Sequence, residues 1–265
     1  MKKIKIYSKI RNDILDFGNL PKCDKEKEII HNTNNKIVIS ELKDQLILVL
    51  DDISKDEEFE LYCLAPNAML VSITYILKKL GYKFTYIPKS TDEENWGWKD
   101  INIKEQDLDK FIIKKTDFIK FERYNKACII LTGKYNISEK SNKVFCDKEI
   151  IIVNKGNDCS GKNIITVTHN LKLEEDTFKS LVNKNCFNKF RKNIDDIFND
   201  LFQLKDLKEV HIISSIPAIG LLYLGEKMSD EKYDNIVFYI YNYKDDAYKL
   251  GSILNSKLLI GDKNV

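Results

Sequence analysis

Apolar residues fall along this chain in two alternating rhythms. Short bursts at Ile4–Tyr7, Lys36–Ile39 and Leu46–Leu50 are separated by charged stretches, and their lengths suit strands. Phe59–Leu64 reads as a further strand, ended by Ala65-Pro66. From there the rhythm changes. Met69, Leu70, Ile73, Ile76, Leu77 and Leu80 recur at helical spacing, Lys78 and Lys79 suit the negative end of the helix dipole, and Gly81 provides a stop. Lys83–Ile87 is strand-like again, so 59–87 reads as one β-α-β unit.

Beyond a polar connector that holds Trp96 and Trp98, the buried-type strand Lys126–Leu131 closes in Thr132-Gly133-Lys134. Two more strands are expected near 149–153 and 163–168, around a Gly-rich turn. Residues 176–204 carry helical spacing, with Asn183-Lys184-Asn185 as a candidate break. The final stretch repeats the first unit: strand Val210–Ile216, Pro217, a helix to Gly225 or slightly beyond, then the closing strand Ile236–Tyr241. Superposing Pro217 on Pro66 brings the closing strands into near register. The pattern predicts an α/β fold made of two fused Rossmann-like halves, at 35–125 and 126–255, with mostly parallel sheets flanked by helices. No Pro- or Gly-rich linker separates them, so the halves are expected to share an interface.

Composition narrows the function classes. The 265 residues include 43 Lys+Arg against 41 Asp+Glu, a net charge of +2, too balanced for coating long duplex nucleic acid. No apolar run approaches the ~20 residues of a membrane helix, and MKKIKIYSKI lacks the apolar stretch of a secretory signal, so a cytoplasmic protein is expected. Six cysteines form no C-x-x-C pair, and Cys63, Cys128 and Cys186 fall in apolar patterns, so reduced core thiols are expected.

The repeat itself suggests chemistry. A strand-to-helix turn lies at the carboxyl edge of a parallel sheet, where open α/β folds bind ligands. The helix start presents unbonded N–H groups and partial positive charge. With Pro66 and Pro217 at the first helical position, the caps would be Ala65 and Ile216, which have no side-chain acceptor; the amides would then be open to water or an anion. Asn67 is the alternative cap of the first helix.

Val210–Ala218 with Leu224-Gly225 and the aromatic-ended strand Phe238–Tyr241 resembles the signature of SAVED sensor domains. Leu64–Asn67 looks like the equivalent element of that family's first half, and Ile129–Lys134 is similar to its middle strand. The resemblance runs from about 35 to 255. It implies one sensor domain over 1–265, built from two CARF-like halves in a pseudo-two-fold relation. It also implies a central pocket for a cyclic di-, tri- or tetranucleotide in antiphage systems of the CBASS or type III CRISPR kind, with no cofactor or metal. Carried onto matching positions, the ligand-binding set is Pro66, Asn67, Thr132, Gly133, Lys134, Ser214, Ser215, Pro217 and Tyr241. Trp96 or Trp98 is a candidate for stacking on a base, with lid or core packing as the alternative. Family members usually carry a fused effector, for which residues 1–50 are too few. The resemblance therefore implies a separate effector partner and ligand-dependent self-association, unless the chain is part of a longer one or itself degrades the ligand.

Other motifs are weaker. Gly156–Asn163 nearly spells a P-loop but has Asn where Ser or Thr should hold the metal, and strand-like residues follow it. Asp51-Asp52 follows an expected strand without the spaced Asp-x-Asp of metal-dependent phosphatases. His31, His169 and His211 are isolated, and His211 reads as structural. A metal-independent ring nuclease remains the rival reading, with Ser214, Thr132 and Lys134 positioning a 2′-hydroxyl and the phosphorane charge. A simple nucleotide-cofactor enzyme would need a G-x-G-x-x-G that neither unit contains.

Overall fold

A computed structural model describes residues 1–8, 20–30, 36–89, 95–99, 126–131, 166–169, 182–203, 207–230, 233–242, 247–255, 257 and 259. The first sheet takes its strands in the order β2-β1-β3-β4: β1 Lys2–Tyr7, β2 Lys25–Glu28, β3 Glu58–Leu64 and β4 Lys83–Tyr86, all parallel. It thus draws two strands from residues ahead of position 35. The second sheet runs β6-β5-β7-β8-β9: β5 Lys126–Leu131, β6 Thr166–His169, β7 Glu209–Ser214, β8 Asn235–Asn242 and β9 Ala247–Leu254. Its first four strands are parallel and follow the same pairing order as the first sheet; β9 returns antiparallel along β8.

Four helices complete the described fold: α1 Ile39–Leu50, α2 Asn67–Lys79, α3 Lys184–Phe202 and α4 Ala218–Ser229. Helix α2 is buried at every residue from Ala68 to Leu77, and α4 from Ile219 to Gly225. A helix that is apolar on all sides belongs inside a protein. Both lie in one core that also takes Ile4, Ile6, Phe59 and Leu61 from the first sheet and Val210, Ile212 and Phe238 from the second. The two helices touch closely enough that a Cβ on Gly225 would fall 2.1 Å from the Val71 carbonyl oxygen and 2.1 Å from Thr74 Oγ1. They run in the same sense. Asn67, opening α2, reaches Ser214 just ahead of α4, and Lys78 near the end of α2 donates to Glu226 at 3.1 Å.

Several expectations need correction. The Lys36–Ile39 and Leu46–Leu50 bursts are not strands; together they bound α1. Its buried positions Ile39, Leu42, Leu46, Val49 and Leu50 fall at helical spacing, while Ile47 and Leu48 face solvent. Asp51-Asp52 therefore follows a helix, and Lys25 pairs with both carboxylates. Strand β8 does not close the sheet, because β9 follows it. At the candidate break, Asn183 starts α3: its Oδ1 accepts from the amides of Asn185 (2.9 Å) and Cys186 (3.2 Å), while residues 176–181 lie outside the described residues. Helix α4 runs on past Gly225 to Ser229. The strand expected near 149–153, the near-P-loop at 156–163 and His31 lie outside the described residues.

Candidate functional site

In each sheet the chain lays its second strand on one side of the first and its third strand on the other. The order reverses between β1 and β3, and again between β5 and β7. Such a switch point leaves a crevice at the carboxyl edge. The backbone closes both alike: the Ser8 amide donates to Leu64 O at 3.0 Å, and the Ser215 amide to Leu131 O at 2.9 Å.

Helices α2 and α4 rise from these two crevices. The prolines do not hold the first helical position. Pro66 (φ −55°, ψ 149°) and Pro217 (φ −57°, ψ 153°) are the N-caps, because their extended ψ keeps them outside the helix while their carbonyls accept its first bonds. Pro66 O takes the amides of Met69 and Leu70, and Pro217 O those of Gly220 and Leu221. Neither proline supplies a side-chain acceptor, so Ala65 and Ile216 are not the caps and nothing replaces them. Among the described residues, the amides of Asn67 and Ala68, and of Ala218 and Ile219, meet no acceptor. Asn67 is not a cap either. Its Nδ2 crosses to the second half and donates to the Ser214 carbonyl at 3.2 Å.

Pro66, Asn67, Ser214, Ser215 and Pro217 thus come together at one edge. Ser214 is buried, and its Oγ accepts from the Ile216 amide at 3.2 Å, which shapes the turn into α4. Thr132, Gly133 and Lys134 lie outside the described residues; they follow Leu131 in sequence, whose carbonyl holds Ser215. Tyr241, near the end of β8, meets Tyr248 edge-to-face at 5.3 Å. The tryptophans divide. Trp98 packs on Phe187 of α3 at 5.1 Å and lies against the core, whereas half-buried Trp96 sits edge-on to Tyr62 of β3 at 5.3 Å.

Ser8 is the residue that pattern reading passes over. It follows β1 on the face of Ile4 and Ile6, is 1% exposed, and its Oγ meets no partner among the described residues. A lone serine after a strand gives no signal in sequence; only the alternation with two buried isoleucines, once β1 is known, marks it. A buried hydroxyl without a described partner at a switch point makes Ser8 a candidate ligand contact.

Two buried titratable groups away from this edge, His211 and Cys63, serve the packing among the described residues. His211 bridges Glu209 Oε1 (2.6 Å) and Tyr239 OH (3.0 Å) inside the second sheet. Burial pushes the Cys63 thiol far up, which leaves it unreactive. Among the described residues no three His, Cys, Asp or Glu side chains gather as a metal site, and no helix is long and apolar enough to cross a membrane.

Comparison with known proteins accords with this fold. Structures of the Acinetobacter baumannii Cap4 SAVED/CARF-domain containing receptor match at a TM-score of 0.52. The form with the cyclic trinucleotide 3'3'3'-cAAA is 11% identical over 95% of this chain, and the form with 2'3'3'-cAAA is 11% identical over 96%. The match takes in 51% of each receptor, so this chain spans about half their length. No curated protein matches. The family model for the SAVED domain, the "SMODS-associated and fused to various effectors sensor domain", matches residues 42–252, and the chain accordingly belongs to the SAVED family.

Proposed function

We propose that this chain binds a cyclic oligonucleotide across the two helix starts and passes the binding on, to a separate effector or by self-association, in antiphage defence. The observation that carries this reading is the pairing of two uncapped helix N-termini at adjoining switch points, tied by the Asn67–Ser214 bond. A cyclic oligonucleotide is a small ring with one negative charge per nucleotide. Four open amides, contributing about 1.5–3 kcal/mol for each bond to a charged group, suit such a ring without a basic surface.

We further infer a pseudo-two-fold relation between the halves. Thr74 and Gly225 are each the eighth residue after their proline, and they meet at the helix contact. Equivalent positions touch each other only next to a two-fold axis. Such an axis would present alike donors to alike phosphates on opposite sides of the ring. The Cap4 receptors, solved with cyclic trinucleotides, share this fold. For the ligand we propose the hydroxyls of Ser8 and Ser215 at the helix starts and, from the residues that follow β5 in sequence, the Thr132 hydroxyl, Gly133 for close backbone approach and Lys134 to neutralise charge. Trp96 and Tyr241 are the candidate stacking surfaces; Trp98, committed to Phe187, supports the first half.

Incubation with cyclic di-, tri- and tetranucleotides, followed by recovery of the bound species and mass spectrometry, tests the proposal. Retention of an intact ring is the expected result. Failure to retain any ring refutes the reading, and recovery of linear product replaces the sensor by a ring nuclease.

A further inference from the structure

The helix pair is joined at three heights. At the mouth, Asn67 Nδ2 donates to the Ser214 carbonyl at 3.2 Å. Midway, Gly225 lets α4 rest directly on the backbone of α2 at Val71 and on Thr74. At the far end, Lys78 Nζ donates to Glu226 Oε1 at 3.1 Å. The middle contact sets Gly225 against the backbone of α2 with no side chain of its own to adjust, and we take it as the pivot. The far contact joins two long, partly exposed side chains (40% and 24%) and tolerates movement. The mouth contact is short, runs from a side chain to a main-chain carbonyl, and sits on residues that open α2 and close β7.

We infer that Asn67 is a positioning residue that sets the gap between the two helix starts and thereby limits the size of ring the site admits. The inference rests on the proposed function and deepens it. Gly225 lies eight residues past Pro217, so the start of α4 stands about 12 Å from the pivot, and Val71 lies five past Pro66, so the start of α2 stands about 8 Å from it. A tilt of about 10° about that pivot would shift the start of α4 by about 2 Å, enough to lose a hydrogen bond of ordinary length. The strap is the described side-chain bond that resists this tilt at the mouth. One N–H of the Asn67 amide is held by the Ser214 carbonyl, and through that bond the side chain acts on the spacing, while its main-chain amide remains open to a phosphate.

The test measures affinities of the full chain for cyclic di-, tri-, tetra- and hexanucleotides, in the wild type and in Asn67→Ala and Asn67→Asp. The aspartate keeps the size and loses the donor. Selectivity is the ratio between the best-bound ring and the next size up. Both variants are expected to lower that ratio about threefold or more, the scale of one hydrogen bond, with the larger ring gaining relative to the smaller. A direct ligand contact would instead weaken all rings alike, so an unchanged ratio with uniformly lower affinity overturns the inference. Equal wild-type binding of all sizes overturns it too. No binding of any ring by the wild type is the separate failure, that of the proposed function. If Asn67→Ala does not fold, Asn67→Asp alone decides, read against its melting temperature.

Discussion

Replacing Gly225 by Ala tests the helix contact on which the site depends. A Cβ there would stand 2.1 Å from Val71 O, 2.1 Å from Thr74 Oγ1 and 2.9 Å from the Val71 carbonyl carbon. No rotamer relieves this, because the methyl carbon is fixed by the backbone and two of the three atoms are backbone as well. The helices must part by about 1 Å or more to restore normal contact. Overpacking of this kind costs typically about 1–3 kcal/mol, and a clash this short belongs at the upper end. Alanine returns up to about 1 kcal/mol through its better helix propensity. The net expected loss is about 2 kcal/mol, which at about 2–4 °C per kcal/mol lowers the melting temperature by about 4–8 °C. Thermal unfolding followed by circular dichroism reads this directly. Adding Thr74→Ala removes one of the clashes but leaves the carbonyl, so the double variant is expected to recover only part of the loss. A Gly225→Ala protein as stable as the wild type, or more so, would mean that the helices do not touch here, and the reasoning about the pivot would fall with it.

Three further outcomes follow from the same structure. Asn183→Ala removes the side-chain acceptor for two amides at the start of α3 and is expected to cost about 1 kcal/mol, read as a lower urea midpoint with an unchanged slope. Burial pushes the Tyr75 hydroxyl up to about 12 and raises those of Tyr62, Tyr86 and Tyr223 as well. A raised acid favours the folded state fully below its unfolded value near 10. Stability is therefore expected to fall as pH climbs from about 10 towards 12, checked by urea midpoints across that range; a flat profile would refute it. Burial also holds the Cys63 thiol protonated, so a thiol reagent at pH 8 should label Cys63 only after denaturation, as peptide mapping would show.

The parts of this fold that sequence reveals are those where one local rule decides. Strand β3, Pro66, α2 and Gly81 announce themselves because a buried strand, a fixed φ, an apolar face and a left-handed stop (Gly81, φ +86°) each carry a residue signature. The repeat at β7, Pro217 and α4 is visible for the same reason. Helix α1 is not, since five consecutive apolar residues at its end resemble a strand until the burial of Leu46, Val49 and Leu50, but not Ile47 and Leu48, is known. Strand β2, Lys-Glu-Lys-Glu, has no apolar member and pairs only because it lies at the edge. Strand β9 is interrupted by Gly251, which sits where a Cβ would come within 2.8 Å of Ala68 on α2, a constraint that no neighbour in sequence encodes. At the site, the two proline turns are legible one by one. Their meeting through Asn67 and Ser214 is a contact across 147 positions, which only the packed core determines.

Because α2 is buried from Ala68 to Leu77 and shares one core with residues of both sheets, neither sheet has an interior of its own among the described residues. The molecule is therefore expected to melt once rather than twice, with a calorimetric enthalpy equal to the van't Hoff value. A chain severed between β4 and β5 would leave two sticky pieces, each exposing the flank its missing sibling should cover, and soluble material should appear only when both are made together.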